Sequence, residues 1–545
     1  MGHRIICQIL GKYLTYLTFV LCCPLLVACY YQFFASPDTH LQPHSTWAFF
    51  WTFVISGISA QILRVCGQRE TSPLYRREGM LIVILIWFTT ATMSALPFYF
   101  SRTLTHPLDA YFEAMSALTT TGASMICSKA YHPETGQEIP IHITNPHVPD
   151  KTYTYWGTIA PIRDPQTGLI LYSGVEAVSK AILLWRSLLQ WIGGMGIVVI
   201  FLTVLPALGV GGKVLYQMET TGPIKDEIRP RIRETASQLW KLYLIFTLIE
   251  ILLLIWTNRD IPFFDALCIS FSTISTGGFS VRNDSIASYH SAATESIVLL
   301  FMILGSINFA LYFHALRLKF FRIYVPDFIL FLAIALAGCL FVSLFLIGHQ
   351  PPGSPAPYSI GEAFREGSFQ ALSMQTSTGF VTANYDLWPF APQMFMLILT
   401  FIGGMSGSTA GGIKTSRFYI LYKIVLHRLE SLYRPDTVRK LRIGPTEIDD
   451  KNALTVLAFF CIVMFFTVLG TASLVLDGID PETSLGLIAC FMNNVGLAFR
   501  AAGPAHAFAF LSPFSKMLAT LWMLLGRLEF YVILLLFLPT FWRNR

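Results

Sequence analysis

Charge is scarce in this chain: Asp, Glu, Lys and Arg make up only 13% of its 545 residues, against roughly a quarter in soluble domains. So few charges cannot clothe a water-facing surface of this size, which leaves lipid as the solvent. Patterns for metal and redox chemistry are missing too. The ten cysteines form no CxxC pair and no metal-ligand spacing with histidine. Cys22, Cys23, Cys339 and Cys461 lie inside apolar runs, where a thiol behaves as a small hydrophobe. There is no HExxH and no clustered nucleophile with a base, so nothing argues for an enzyme. No cytoplasmic connection is long enough to fold as a domain by itself.

What the chain has is apolar sequence, 54% hydrophobic. Ten stretches are long enough to cross the hydrocarbon core as helices: 13–35, 46–65, 80–100, 182–208, 237–257, 294–316, 327–347, 393–424, 452–475 and 515–540. Four shorter, hydroxyl-rich stretches lie between them at 107–124, 262–280, 361–381 and 483–499, too short to span and therefore re-entrant candidates. The expected fold is an all-α polytopic membrane protein.

Charge placement gives an independent test. The formal net charge of +6 is a topology signal rather than a nucleic-acid footprint, because basic residues cluster between apolar spans. With the N-terminus inside, Arg64, Arg69, Arg76 and Arg77, then Lys213 to Arg233, then Arg317, Lys319 and Arg322, then Lys414 to Arg442 fall on one side, as do both termini. The outer connections carry only scattered cations such as Lys129, Arg259, Arg282, Arg365 and Arg500. One competing reading concerns Leu26-Val27-Ala28-Cys29, which has the form of a lipoprotein cleavage box at Cys29. Tyr30 and Tyr31 directly after it fit an interfacial aromatic belt better.

One unit recurs four times: spanning helix, short stretch, spanning helix. Each short stretch ends in small or hydroxyl residues and a glycine, at Thr120-Thr121-Gly122, Ser275-Thr276-Gly277, Ser377-Thr378-Gly379 and, least typically, Asn494-Val495-Gly496. A potassium ion leaves water only if oxygens replace its hydration shell, and a ring of backbone carbonyls can do this. Aiming successive carbonyls at one axis needs unusual backbone angles, which glycine adopts without steric penalty. The partly negative C-terminal end of each preceding helix also favours a cation. The units are 80–233, 234–325, 326–450 and 451–545, preceded by two helices in 1–79. Segment 125–180 is a polar, proline-rich extracytoplasmic insertion in the first unit.

These loops resemble the Trk/Ktr family of bacterial potassium transporters, as do Gln190-Trp191-Ile192-Gly193-Gly194-Met195-Gly196 and Gly403-Gly404-Met405-Ser406-Gly407-Ser408-Thr409-Ala410-Gly411-Gly412-Ile413-Lys414. Leu208-Gly209 through Pro230-Arg231-Ile232, and Gly526-Arg527-Leu528-Glu529 through Pro539-Thr540-Phe541-Trp542-Arg543, point to its Trk branch. The resemblance covers nearly the whole chain. It implies a potassium-uptake pore subunit of the inner membrane, pseudo-fourfold symmetry, a homodimer and a cytosolic nucleotide-binding regulatory subunit as partner. The insertion is longer than the family suggests, and Leu497-Ala498 stand where relatives often carry more glycine.

The stretch Gly403 to Gly412 reads either as an intramembrane gate, with Gly403, Gly404, Gly407, Ser408, Thr409, Gly411 and Gly412, or as a close helix-packing site. It is not a phosphate loop, since Lys414 follows Ile413 rather than glycine, so this chain has no nucleotide site of that kind. Arg527, mid-helix, reads as an electrostatic barrier on the ion path or as half of an ion pair; Glu250 reads as a packing or pairing residue. A secondary transporter of another ion or solute is the alternative function. The residues leave channel-like conduction and proton- or sodium-coupled symport both open.

Overall fold

The long helices come in the expected places. The structure, a computed structural model, describes residues 3–35, 41–42, 44–67, 76–145, 148–164, 166–196, 232–318, 324–352, 356–434, 441–443, 446–448, 450–528 and 530–542. Helices α1 (His3–Phe33), α2 (His44–Cys66) and α3 (Arg76–Phe100) open the chain. Two antiparallel neighbours, α1 and α2, pack along each other, and α1 also meets α3, where the Tyr13 hydroxyl lies 2.6 Å from that of Thr90.

Four helix–short helix–helix units follow. The first is α3, α4 (Pro107–Leu118) and α5 (Lys180–Gly194); the second α6 (Ile232–Thr257), α7 (Phe263–Ile274) and α8 (Ala292–Ser306), continued by α9 (Phe309–Leu316). The third is α10 (Pro326–Leu346), α11 (Ile360–Gln375) and α12 (Phe390–Phe401), continued by α13 (Thr415–Tyr433); the fourth α14 (Asp450–Leu476), α15 (Pro481–Asn493) and α16 (Pro513–Leu528), continued by α17 (Phe530–Leu534). The short helices have 12, 12, 16 and 13 residues, about 18–24 Å of helix, less than the roughly 30 Å of hydrocarbon. Local sequence starts them: Pro107 and Pro481 occupy first turns, and Ser359 with Glu362 forms a capping box on α11.

The units close into a cycle. Each outgoing helix packs on the next unit's short helix: α5 on α7, α8 on α11, α12 on α15, and α16 back on α4. Among the described residues six helices are long and apolar enough to cross a membrane, or eight if each of two bent pairs counts once. Sequence alone suggested ten; the shortfall consists of one span that runs out of the described residues and others that are divided or bent. The fourth expected span survives as α5, with 197–208 outside the described residues, as are most of 208–232 and Glu529. The eighth, 393–424, is divided into α12 and α13 by the glycine-rich residues 402–414. The chain also turns 98° between α8 and α9, where Asn308 caps the new helix by accepting from the Ala310 amide, and 118° after α16.

The insertion is built of three antiparallel hairpins: β1 (Ala130–Tyr131) with β2 (Glu138–Ile139), β3 (Ile141–Asn145) with β4 (Val148–Tyr155), and β5 (Ile162–Arg163) with β6 (Ile170–Tyr172). It docks on the N-cap of α15. The Asp480 carboxylate accepts from Asn145 Nδ2 at 3.1 Å, the Tyr153 hydroxyl at 2.6 Å and the Thr483 amide at 2.9 Å. Burial pushes this carboxyl up, but those hydrogen bonds outweigh it and hold it below the usual Asp range. The contribution to docking is therefore complete above the ordinary Asp pKa of about 3.9 and fades as pH falls through the lower folded value. Asp480→Asn should raise protease cleavage of the insertion roughly tenfold at neutral pH, because a hydrogen bond to a charged group is worth about 1.5–3 kcal/mol. Limited proteolysis from pH 7 to pH 3 checks this; equal cleavage of both proteins at neutral pH would contradict it.

Candidate functional site

The four short helices end alike. After the last helical turn, Thr120, Thr276, Ser377 and Asn494 take left-handed angles, with φ of 52°, 53°, 53° and 54°. Such a conformation costs a non-glycine residue about 1–2 kcal/mol. Its recurrence at four equivalent places shows that the surroundings impose it. The next residue turns its amide back to the helix: Thr121 N to Ser116 O at 2.8 Å, Gly277 N to Ser272 O at 2.8 Å, Thr378 N to Ser373 O at 3.0 Å and Val495 N to Cys490 O at 3.1 Å. This is the hydrogen bond of a Schellman cap, with Thr, Ser or Asn at the usual glycine position.

Glycines follow at 122, 278, 379 and 496, with φ of 84°, 73°, 83° and 80°. The second loop thus runs one residue later than the sequence suggested: its left-handed residue is Thr276 and its equivalent glycine Gly278, not Gly277. Ser275 still belongs to the helix end, where its hydroxyl donates to Phe271 O at 2.7 Å, as Thr119 donates to Met115 O at 2.8 Å and Thr376 to Leu372 O at 2.7 Å. Two consecutive glycines hid the register.

The loops meet in a ring. A methyl group placed on Gly122 would lie 2.2 Å from the Gly277 carbonyl oxygen, one on Gly278 1.9 Å from that of Thr378, one on Gly379 2.0 Å from that of Val495, and one on Gly496 2.2 Å from that of Thr121. Each loop touches the next, and the fourth returns to the first. Of the twelve residues expected at this site, these contacts bring Thr121, Gly122, Gly277, Thr378, Gly379, Val495 and Gly496 to one circle; Thr120, Thr276, Ser377 and Asn494 directly precede it in the chain, and Ser275 lies at the end of its helix.

Residues 402–414 fold against the helix-side ends of these loops. Thr409 Oγ1 donates to Ile274 O or Gly305 O, each at 2.9 Å, and Met405 N donates to Ser306 O at 2.9 Å. The Gly411 amide donates to Ser377 Oγ at 2.5 Å, and a methyl on Gly411 would lie 2.3 Å from Asn493 O. Gly403 N donates to Ile413 O, Thr415 Oγ1 to Gly403 O and Gly404 O, and Phe309 N to Gly407 O. Ser408 Oγ donates to Met405 O, and the Lys414 ammonium to Ala410 O. The methyl that Gly412 lacks would crowd Gly403. From α16, Arg527 reaches in to donate to Thr409 O at 2.9 Å and Gly193 O at 3.3 Å, so it joins this loop to the first unit.

Residues 164–543 match the family described as cation transport protein, TrkH. The chain belongs to the TrkH family. It is 33% identical over 501 residues to the Trk system potassium uptake protein TrkH of Salmonella typhimurium, covering 91% of this chain and 92% of that one. It is 32% identical over the full length of both chains to the protein of the same description from Halomonas elongata. The crystal structure of the potassium transporter TrkH from Vibrio parahaemolyticus superposes with a TM-score of 0.78 at 29% identity, covering 100% of both chains.

Sequence reasoning missed several residues behind the ring of this TrkH-family chain. Glu113 of α4 is fully buried and accepts from Arg186 Nε at 2.8 Å, Ser124 Oγ at 3.0 Å and Met125 N at 2.8 Å. Arg186 also donates to Ser280 O at 3.4 Å and lies 3.9 Å over the Phe279 ring, so one buried pair ties the exits of loops one and two. Removing either partner would strand a buried charge at about 3–5 kcal/mol. Three of the scattered cations expected on the outer side are paired as well: Arg282 with Asp265 at 3.0 Å, Arg365 with Glu295 at 2.5 Å and Arg500 with Glu482 at 2.8 Å. Their partners are 17, 70 and 18 residues away, and no local signal announces them. Glu250 is fully buried, and its carboxyl oxygens find no hydrogen-bond partner among the described residues.

Proposed function

We propose that this chain takes up potassium across the inner membrane through a gated opening along the axis of the four-loop ring. The observation that carries the reading is the cyclic contact of the glycines at 122, 278, 379 and 496 with the carbonyls of residues 277, 378, 495 and 121. Four equivalent oxygens on one small circle are what a potassium ion needs in exchange for its water. Four helix C-termini directed at the same circle add a potential favourable to a cation. The relatives' descriptions as potassium uptake proteins support the same reading.

In this reading ten spans and four re-entrant loops form the four units, with α12, residues 402–414 and α13 as one interrupted span. Irregular backbone at that depth is tolerated because it is buried in protein and lines the path. Residues 402–414 and Arg527 form the gate below the ring. Both termini lie in the cytoplasm, two copies assemble into a homodimer, and a cytosolic nucleotide-binding subunit of Trk/Ktr type moves the gate. Expression together with such a subunit in a strain lacking its own potassium uptake should restore growth at low potassium. Absence of growth with both proteins present in the cells would contradict the proposal.

A further inference from the structure

We infer that Gln190 sets the size preference of the ring by anchoring one of its four oxygens from behind. This rests on the ring being the ion path. Gln190 lies on α5 of the first unit, is fully buried, and reaches into the loop of the second. Its amide is used at both ends. Nε2 donates to the Gly277 carbonyl at 2.6 Å, and Oε1 accepts from the Phe279 amide at 3.2 Å.

The four ring positions share one backbone turn, but this corner differs in two linked ways. The residues carrying the other three oxygens, Thr121, Thr378 and Val495, have side chains; here the residue is glycine. A methyl group on Gly277 would lie 2.5 Å from Gln190 Cδ, so the amide occupies the volume a side chain would fill. Among the described residues, no side chain donates to the carbonyls of Thr121, Thr378 or Val495. One oxygen in four is therefore held by a neutral donor, while among the described residues the other three accept from no side chain.

A carbonyl oxygen has two lone pairs, and the amide takes one of the pair on Gly277. A smaller cation such as sodium is satisfied only if the oxygens close in on it. The anchored oxygen can follow only by giving up its hydrogen bond, so contraction is penalised while the wider potassium geometry is not. Losing that bond should lower discrimination against sodium roughly tenfold, equivalent to about 1.4 kcal/mol.

The test is the potassium-to-sodium flux ratio of the full-length chain in liposomes. Gln190→Met keeps the length of the side chain without donor or acceptor, and Gln190→Ala removes the group. Gly277→Ala displaces the amide from the other side. The ratio should fall roughly tenfold in each variant that assembles. A wild-type ratio in the variants that assemble would overturn the inference. Gly122→Ala separates this from failure of the ring itself. If Gly122→Ala removes flux while Gln190→Met keeps the wild-type ratio, only the role of Gln190 is wrong. If Gly122→Ala changes neither flux nor ratio, the ring is not the path.

Discussion

Gly379→Ala should lower potassium uptake at least about a hundredfold while the protein still reaches the membrane. Two effects act together. At a φ of 83° an alanine is strained by about 1–2 kcal/mol. The larger effect is the collision, since the new methyl would lie 2.0 Å from Val495 O, where about 3.3 Å is the ordinary carbon–oxygen approach. Both partners are backbone, so relief requires a loop to shift by more than an ångström. A misplacement of that size in a site that depends on positioning costs about a hundredfold. Gly361→Ala is the control, because nothing lies within 4 Å of the added methyl there, and its flux should match wild type. Flux assays on matched amounts of protein check the pair; equal flux in both would contradict the ring as the path.

In the proposed gate, replacing Arg527 with leucine should favour the open state. The guanidinium holds Thr409 O and Gly193 O at once, and hydrogen bonds to a charged group are worth about 1.5–3 kcal/mol each. Loss of even one shifts a closed–open equilibrium by roughly tenfold or more. In the proposed reading it also removes a positive charge beneath the ring that would oppose cation passage. Potassium leak without the regulatory partner should therefore rise at least about tenfold, and Arg527→Lys, which keeps the charge but not the fork, should fall between. Unchanged leak together with a lower melting temperature would make Arg527 a structural tie only.

The glycines of the ring were readable because their requirement is local: a reversal of backbone hand after a helix leaves glycine and small polar residues in the sequence wherever it occurs. The register of the second loop was not, since Gly277 and Gly278 meet that requirement equally and only the position of Thr276 decides between them. The break after Ser306 had a signal, Asn308 inside an apolar run, but mean apolarity over a window hides a single helix-capping residue. The insertion's hairpins were also half visible in the alternation of Ile141-His142-Ile143 and Tyr153-Thr154-Tyr155. Gln190 was conspicuous as part of a motif, but its task depends on reaching 87 residues along the chain to Gly277. The Glu113–Arg186 pair spans 73 residues, and such contacts exist only once the units have closed into their cycle.

The decisive measurement is the position of a heavy potassium substitute, rubidium or thallium, located by anomalous scattering in crystals of this protein. The account places it on the axis among the carbonyl oxygens of Thr121, Gly277, Thr378 and Val495. Strong sites elsewhere in the membrane region, with no scatterer inside that circle, would contradict it.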